Sequence, residues 1–443
     1  PEVVAAYKQY RDYMDRDVIY PGIFVDGVHV GDLTVEEARQ LLTANGSDVP
    51  NAFSVTVAIG NKTWTVDSSN VPAQRDLGNV LERAYAIGRT NTTAIQSTLQ
   101  TPFRERTNRA VALRESGINL TTTASYDHEA VRALVADIAA YVTRDPVDAQ
   151  IQSFDYATRT FSFTESQPGV TLDQDLLYER VTAALDRWES GVTVTVDPIV
   201  TEPAVTKDEL VASFGLVAAY TTETTNDSNR NTNIDLACQA INGTALMPGE
   251  TFSFNQATGQ RTTEKGYKSA GAIAAGQSIE EVGGGICQVS STLFNAVARA
   301  NLEIVSRSPH AWPSTYVNIG EDATVNWPNL DFQFKNNTKS PIFIITYYKN
   351  RRMSAEIWGM SLGEGVTIDL QSTIIKTIDP PSEVKYELNT DLPYGTEKTT
   401  VKARTGYVVE TEKVWYKDGQ ETRRELLHTS NYRAYQQVIE YNY

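Results

Sequence analysis

The chain has 443 residues, 41% of them hydrophobic, which allows about three domains with cores of their own. A formal net charge of -16 excludes a basic footprint for nucleic acid and argues against binding to anionic headgroups. Only two cysteines and four histidines are present, and no apolar run of roughly 18 residues reads as a membrane span. No signal peptide is legible. The chain opens at Pro1 inside an expected helix over 3–14, which reads as a processed start with further sequence before it.

The first 205 residues read as a degenerate repeat. The first unit has a helix over 35–44, then alternating runs over 53–59 and 62–66 joined by Gly60-Asn61, a hairpin signal, then a helix over 77–89. The second unit repeats this order, with a helix over 128–144, strands over 149–156 and 160–164, and a helix over 176–188. Each unit is expected to be a small α+β module. A strand over 192–200 and a linker at Glu202-Pro203-Ala204 follow. The polar stretch 221–232 has no apolar periodicity and reads as a loop or lid. A helix over 234–241, a turn at Met247-Pro248-Gly249, a strand over 251–254 and further strands to 357 make an α+β central domain. Beyond 365 the chain is strand and turn. Runs over 401–405, 407–416 and 420–427 alternate, and Lys417-Asp418-Gly419 joins the last two, an elongated all-β module.

The stretch Gly283-Gly284-Gly285-Ile286-Cys287-Gln288-Val289-Ser290-Ser291 carries the chemistry. Ile286, Val289, Leu293, Phe294 and Val297 recur at helical spacing, which puts Cys287 in the first turn of a helix. A helix N-terminus favours a thiolate over a thiol. His310 is the only histidine of this domain, and Pro309 and Pro313 around it fix a rigid turn. It is the expected base or imidazolium partner of Cys287. Asp322 and Asp331 are both candidates to orient it. Gly284, Gly285, Gln288, Ser290 and Trp312 are oxyanion or substrate-binding candidates, with the glycines read as letting a peptide backbone approach. Three plainer readings stand beside this one: Cys287 as a buried hydrophobe, a Cys238–Cys287 disulfide, and His310 as a structural residue. The cysteines and His310 lack metal-ligand spacing, so neither metal nor cofactor is expected.

Several segments together resemble the VanW family. They are Asn231-Thr232-Asn233-Ile234, Met247 through Asn255, Gly266-Tyr267, Gly283 through Thr292, Arg307 through His310, Asp322-Ala323-Thr324-Val325, and Asp331 with Asn336-Asn337-Thr338. The N-terminal repeats resemble peptidoglycan-binding repeats. The C-terminal block, through Gly395, Gly406 and Gly419, resembles the five-glycine-motif domain. The resemblance divides the chain into 1–113, 114–205, 206–360 and 361–443. It implies a protein at the outer face of the membrane or in the wall, with an N-terminal anchor outside this chain. It further implies peptidoglycan stem peptides and glycan as partners, and L,D-transpeptidation through a Cys287 thioester. A non-catalytic wall-binding scaffold and a cysteine endopeptidase or carboxypeptidase are the alternatives.

Overall fold

Strong local signals set the N-terminal elements. Thr34 and Glu37 form a capping box that starts helix α1 (Val35–Ala44). Strands β1 (Ser54–Ile59) and β2 (Lys62–Asp67) pair antiparallel around Gly60, whose φ of 58° the tight turn requires. Helices α2 (Leu77–Ala86), α3 (His128–Val142) and α4 (Gln174–Leu185) follow, the last two started by Asp127 and Asp173 caps. Strand β3 (Ser190–Thr195) then pairs parallel with β1. The computed structural model describes residues 8, 11–89, 103–274 and 277–443. Residues 11–14 of the helix expected over 3–14 are helical, and most of the remainder lies outside the described residues.

The chain divides into two units, 1–147 with 167–204, and 148–166 with 205–443. In the first, the two repeats interlock rather than stand side by side. One core holds Val55, Val57 and Val66 from the first repeat and Val131, Ile138, Leu177, Val181 and Val194 from the second. The position 113/114, expected as a boundary, falls inside the helix Phe103–Ser116. The reason is the β3–β1 pairing: an unpaired apolar strand of either repeat would leave buried backbone groups without partners. The hairpin expected to complete the second repeat, Ile151–Asp155 with Thr160–Phe163, belongs to the second unit. There Phe154 packs on Phe343 and Ile345, and Arg159 pairs with Glu356 at 2.8 Å.

The second unit is built on strand β4 (Phe214–Glu223), helix α5 (Ser228–Ile241), the hairpin β5 (Ser269–Ala274) and β6 (Gln277–Val282), helix α6 (Ile286–Arg299), and strands β7 (Ile342–Lys349) and β8 (Arg352–Met360). A four-stranded sheet runs β4, β8, β7 and the short strand Thr244–Leu246. Helix α6 is buried nearly all round, against this sheet and α5. The stretch 221–232 is not a loop: β4 runs to Glu223, and α5 starts at Ser228 behind the Asp227 cap, which accepts from Asn229 N and Arg230 N. Burial of Asn233 and Ile234 overrides the weak helix preference of the Thr and Asn residues.

The C-terminal block is all strand. Strands β9 (Val366–Ile378), β10 (Gly406–Lys417) and β11 (Gln420–Tyr432) form one sheet; a second holds 385–388, 396–401 and 438–442. The β10–β11 turn uses Asp418 and Gly419, both at positive φ. This first sheet is not a detached module, because Leu370 joins the α6 core and Leu427 packs against it. Among the described residues, no helix is long and apolar enough to cross a membrane.

Candidate active site

The site is built by polar side chains on a buried helix. One row of α6 presents Gln288, Ser291, Thr292 and Asn295, all buried, with Ser290 beside it. Buried hydroxyls and amides need partners, and these find them in the loop 321–325 and in β4. Ser290 Oγ donates to Ala323 O (2.6 Å), and Ser291 Oγ accepts from Ala323 N (2.9 Å). Asn295 Nδ2 donates to Glu321 O (2.8 Å), and Gln288 Nε2 to Thr222 Oγ1 (3.0 Å) and Glu223 O (2.8 Å). The helix thereby holds the loop that carries Asp322, Thr324 and Val325 beside its own first turn.

Cys287 stands in that first turn, partly exposed to a cleft of about 970 Å³. Its Sγ lies 3.4 Å from Val325 O and 3.6 Å from Thr324 Oγ1. His310, from the Pro-flanked turn, lines the same cleft. Its Nδ1 lies 2.5 Å from Asp322 Oδ2, and its backbone N–H donates to the same oxygen (2.7 Å). That contact fixes the ring and leaves Nε2 for the cleft, where Tyr316 OH is 3.5 Å away. Asp322 Oδ1 accepts from Arg307 (3.0 Å) and from Tyr432 OH (2.5 Å).

The electrostatics follow from these contacts. Burial pushes the Cys287 thiol up, but hydrogen bonding and charge from His310, with help from Val325 and Thr324, bring it down to about 7. Burial works against the His310 imidazolium, yet Asp322 and the Cys287 sulfur raise it to about 9. Burial likewise disfavours the Asp322 carboxylate, and His310, Arg307 and Tyr432 together hold it at about 2. The pair therefore favours thiolate and imidazolium over thiol and imidazole. Both cysteines are free, so no disulfide blocks the sulfur.

Gly285, at φ 105°, precedes α6 without a side-chain cap. The N–H groups of Gly285 and Cys287 have no acceptor among the described residues, whereas Gln288 N–H donates to Gly285 O (3.0 Å). The three glycines are filled by the protein's own atoms. A Cβ on Gly283 would lie 3.1 Å from Arg261 Cβ, one on Gly284 2.3 Å from Ala270 O, and one on Gly285 2.7 Å from Arg230 Cγ. They make room for two arginine stems and a strand, which corrects their expected use by a substrate backbone.

The expected site residues therefore separate. Cys287, His310 and Asp322 come together, and Trp312 lines the cleft beneath Arg404, 4.0 Å above its ring. Asp331 does not orient His310: its carboxylate accepts from Ser253 Oγ (2.6 Å), Asn255 N (2.9 Å) and Gln333 Nε2 (2.8 Å). Ser290 and the Gln288 side chain are framework, because their hydrogen bonds go to 323 and 222–223 and Gln288 Oε1 accepts from Arg230 (3.1 Å). The N–H of Gly284 is spent on Glu281 O (3.1 Å). Sequence reasoning missed Arg230, Arg261, Tyr316 and Tyr432. None sits in a motif, and Tyr432 is 110 residues from the aspartate it holds. Among the described residues no cluster of metal-ligating side chains occurs.

Comparison with known proteins agrees with this architecture. Residues 229–358 match the family model described as VanW like protein, 64–193 the "Putative peptidoglycan binding domain", and 371–442 the G5 domain. The uncharacterized protein YoaR of Bacillus subtilis is 32% identical over 299 residues, 67% of this chain and 94% of YoaR. The vancomycin B-type resistance protein VanW of Enterococcus faecalis is 33% identical over 115 residues, 25% of this chain and 42% of that protein. Among solved structures, the IgA1 protease G5 domain is similar at 22% identity and a TM-score of 0.13, covering 18% of this chain and 92% of that one. With its central match and a relative covered almost end to end, the chain belongs to the VanW family.

Proposed function

We propose that this protein is a cysteine-dependent acyltransferase of the cell wall, an L,D-transpeptidase acting on peptidoglycan stem peptides. One observation carries the reading: Cys287 and His310 line one cleft, Asp322 holds the His310 ring, and the thiol is lowered and the imidazole raised. The peptidoglycan-binding match over 64–193 and the resistance-related relative support a wall setting and glycan as the polymer held by the N-terminal unit.

The steps follow from the groups present. The Cys287 thiolate attacks the carbonyl of the L,D-peptide bond of a tetrapeptide stem. The N–H groups of Cys287 and Gly285, which have no acceptor among the described residues, are the donors this reading assigns to the developing oxyanion. The C–N bond breaks, and the His310 imidazolium gives its proton to the departing amine of D-alanine. A thioester remains on Cys287. The side-chain amine of a neighbouring stem attacks it, His310 takes the proton, and a 3→3 cross-link forms with the thiolate restored. Asp322 keeps Nδ1 occupied throughout, so Nε2 does the proton transfer.

Muropeptide analysis after incubation with disaccharide-tetrapeptide tests the reading. The expected product is a 3→3 dimer with free D-alanine, absent with Cys287→Ala. Tripeptide without dimer would make water the acceptor and the protein a carboxypeptidase. Neither product would leave a wall-binding scaffold.

A further inference from the structure

The cleft holds two guanidinium groups that make no ion pair with a carboxylate among the described residues. Arg261 lines it with its stem packed on Gly283 and its guanidinium near the Phe254 ring, 5.6 Å away. Nη1 and Nη2 of Arg261 are buried and have no hydrogen-bond partner among the described residues. Among the described residues Arg230 reaches neutral acceptors alone, Gly271 O (3.3 Å) and Gln288 Oε1 (3.1 Å), and its buried Nε has none. Asp331 acts on Arg261 through its charge alone, since its oxygens accept from Ser253, Asn255 and Gln333, and the other carboxylates are engaged elsewhere or exposed. Glu223 pairs with Arg352 (3.3 Å), Asp227 caps α5, and Glu281 is exposed. A buried guanidinium without a partner is costly to the fold. A group left so calls for a partner from outside the chain, whether water, an ion or a ligand. The fork geometry of arginine matches a carboxylate. Arg261 and Cys287 line the same cleft; burial works against the guanidinium charge, and the Cys287 sulfur and Asp331 act by charge to keep it.

We propose that the cleft takes its acyl donor by a carboxylate, held by Arg261 with Arg230 beside it. The identification of that donor as a stem peptide rests on the transpeptidase reading; the carboxylate site does not. Two groups of a stem fit the chemistry. One is the α-carboxylate of the leaving residue, the other a side-chain carboxylate on the residue that becomes the acyl group. The site predicts rejection of whichever donor is amidated at the recognised position, because amidation leaves the guanidinium unpaired.

Alkylation of Cys287 by iodoacetate and by iodoacetamide tests the site without any substrate. The ratio of the two rates cancels the thiolate fraction and reads the attraction for a carboxylate. The ratio is expected to exceed that of a free thiol by about tenfold, the order of a charge-assisted hydrogen bond, and to lose most of that excess in Arg261→Gln while Arg261→Lys keeps part. An equal ratio in wild type and Arg261→Gln overturns the proposal. Arg261→Gln should melt no lower than wild type, because it removes an unpaired buried cation. If it fails to fold, wild type decides: acetate should slow iodoacetamide more than acetamide does, and equal protection overturns the site. Acyl-enzyme formation from the tetrapeptide, its C-terminal amide and its side-chain amide then separates the two sources. The recognised amidation should cost about 10- to 100-fold in wild type and little in Arg261→Gln. Acylation indifferent to both amidations overturns the carboxylate site and leaves the transpeptidase standing. A raised iodoacetate ratio with no acylation by any donor does the reverse.

Discussion

Cys238 on α5 and Cys287 on α6 belong to the same packed region, yet their surroundings give them opposite chemistry. Cys238 is 1% exposed among Ile234, Ile241 and other apolar neighbours, and burial drives its thiol well above the usual range. Cys287 is one step from the same core, but it faces His310, Thr324 and Val325, and its thiol is lowered. Burial acts upward on both. The difference is one histidine, itself held by one aspartate. A cysteine is made reactive here by what the loop 307–325 brings to it, and α6 grips that loop with its own buried polar residues.

The comparison can be broken at several depths. The largest effect is expected from Cys287→Ala, which removes acylation altogether, whereas Cys238→Ala leaves acylation intact and costs about 1–2 kcal/mol of stability as a small buried group lost; intact mass and thermal melting check the pair. Next is Asp322→Asn. It leaves Arg307 buried without its counter-ion and His310 without its anchor. A stability loss of about 3–5 kcal/mol and a rate loss of about 10³-fold are expected from denaturant titration and single-turnover acylation.

His310→Ala sharpens the comparison by making Cys287 resemble Cys238. Thiolate forms as pH rises through the thiol pKa, so wild-type alkylation should reach half its maximum near pH 7. Removing the imidazolium leaves burial, the largest influence, opposed only by the weaker hydrogen bonds of Val325 and Thr324, so the midpoint should move above the free-thiol value of about 8.5, and the rate at pH 7 should fall by more than about tenfold. A midpoint still at or below that of a free thiol would assign the activation to the helix end. The smallest effect is expected from Tyr432→Phe, which deletes the hydrogen bond to Asp322 and the one accepted from Gly320 N–H, with a loss of about 1–2 kcal/mol and a modest fall in rate. Unchanged rate with lowered stability would make Tyr432 a packing residue only.

What the sequence disclosed follows the range of each interaction. The α6 span, its first-turn cysteine and the Asp418-Gly419 turn rest on periodicity or on a few adjacent residues, and they were legible. The choice between Asp322 and Asp331 was not, because it depends on which loop Ser291 and Asn295 hold against α6. The parallel pairing of β3 with β1 joins residues more than 130 apart and no local pattern announces it. The glycine run reads from sequence as an opening for substrate, because its occupants, Arg261, Ala270 and Arg230, stand 14 to 55 positions away. Asn233 shows why 221–232 misled: its amide donates to Lys268 O and Gly284 O, so a polar residue is buried in a helix for tertiary reasons.

Intact-protein mass spectrometry with disaccharide-tetrapeptide tests the central claim most directly. The account predicts an adduct equal to the donor minus D-alanine, mapped to Cys287, released by hydroxylamine, consumed by an added amine acceptor, and absent in Cys287→Ala. No adduct in wild type under conditions that yield cross-linked product, or an adduct that persists in Cys287→Ala, would contradict it.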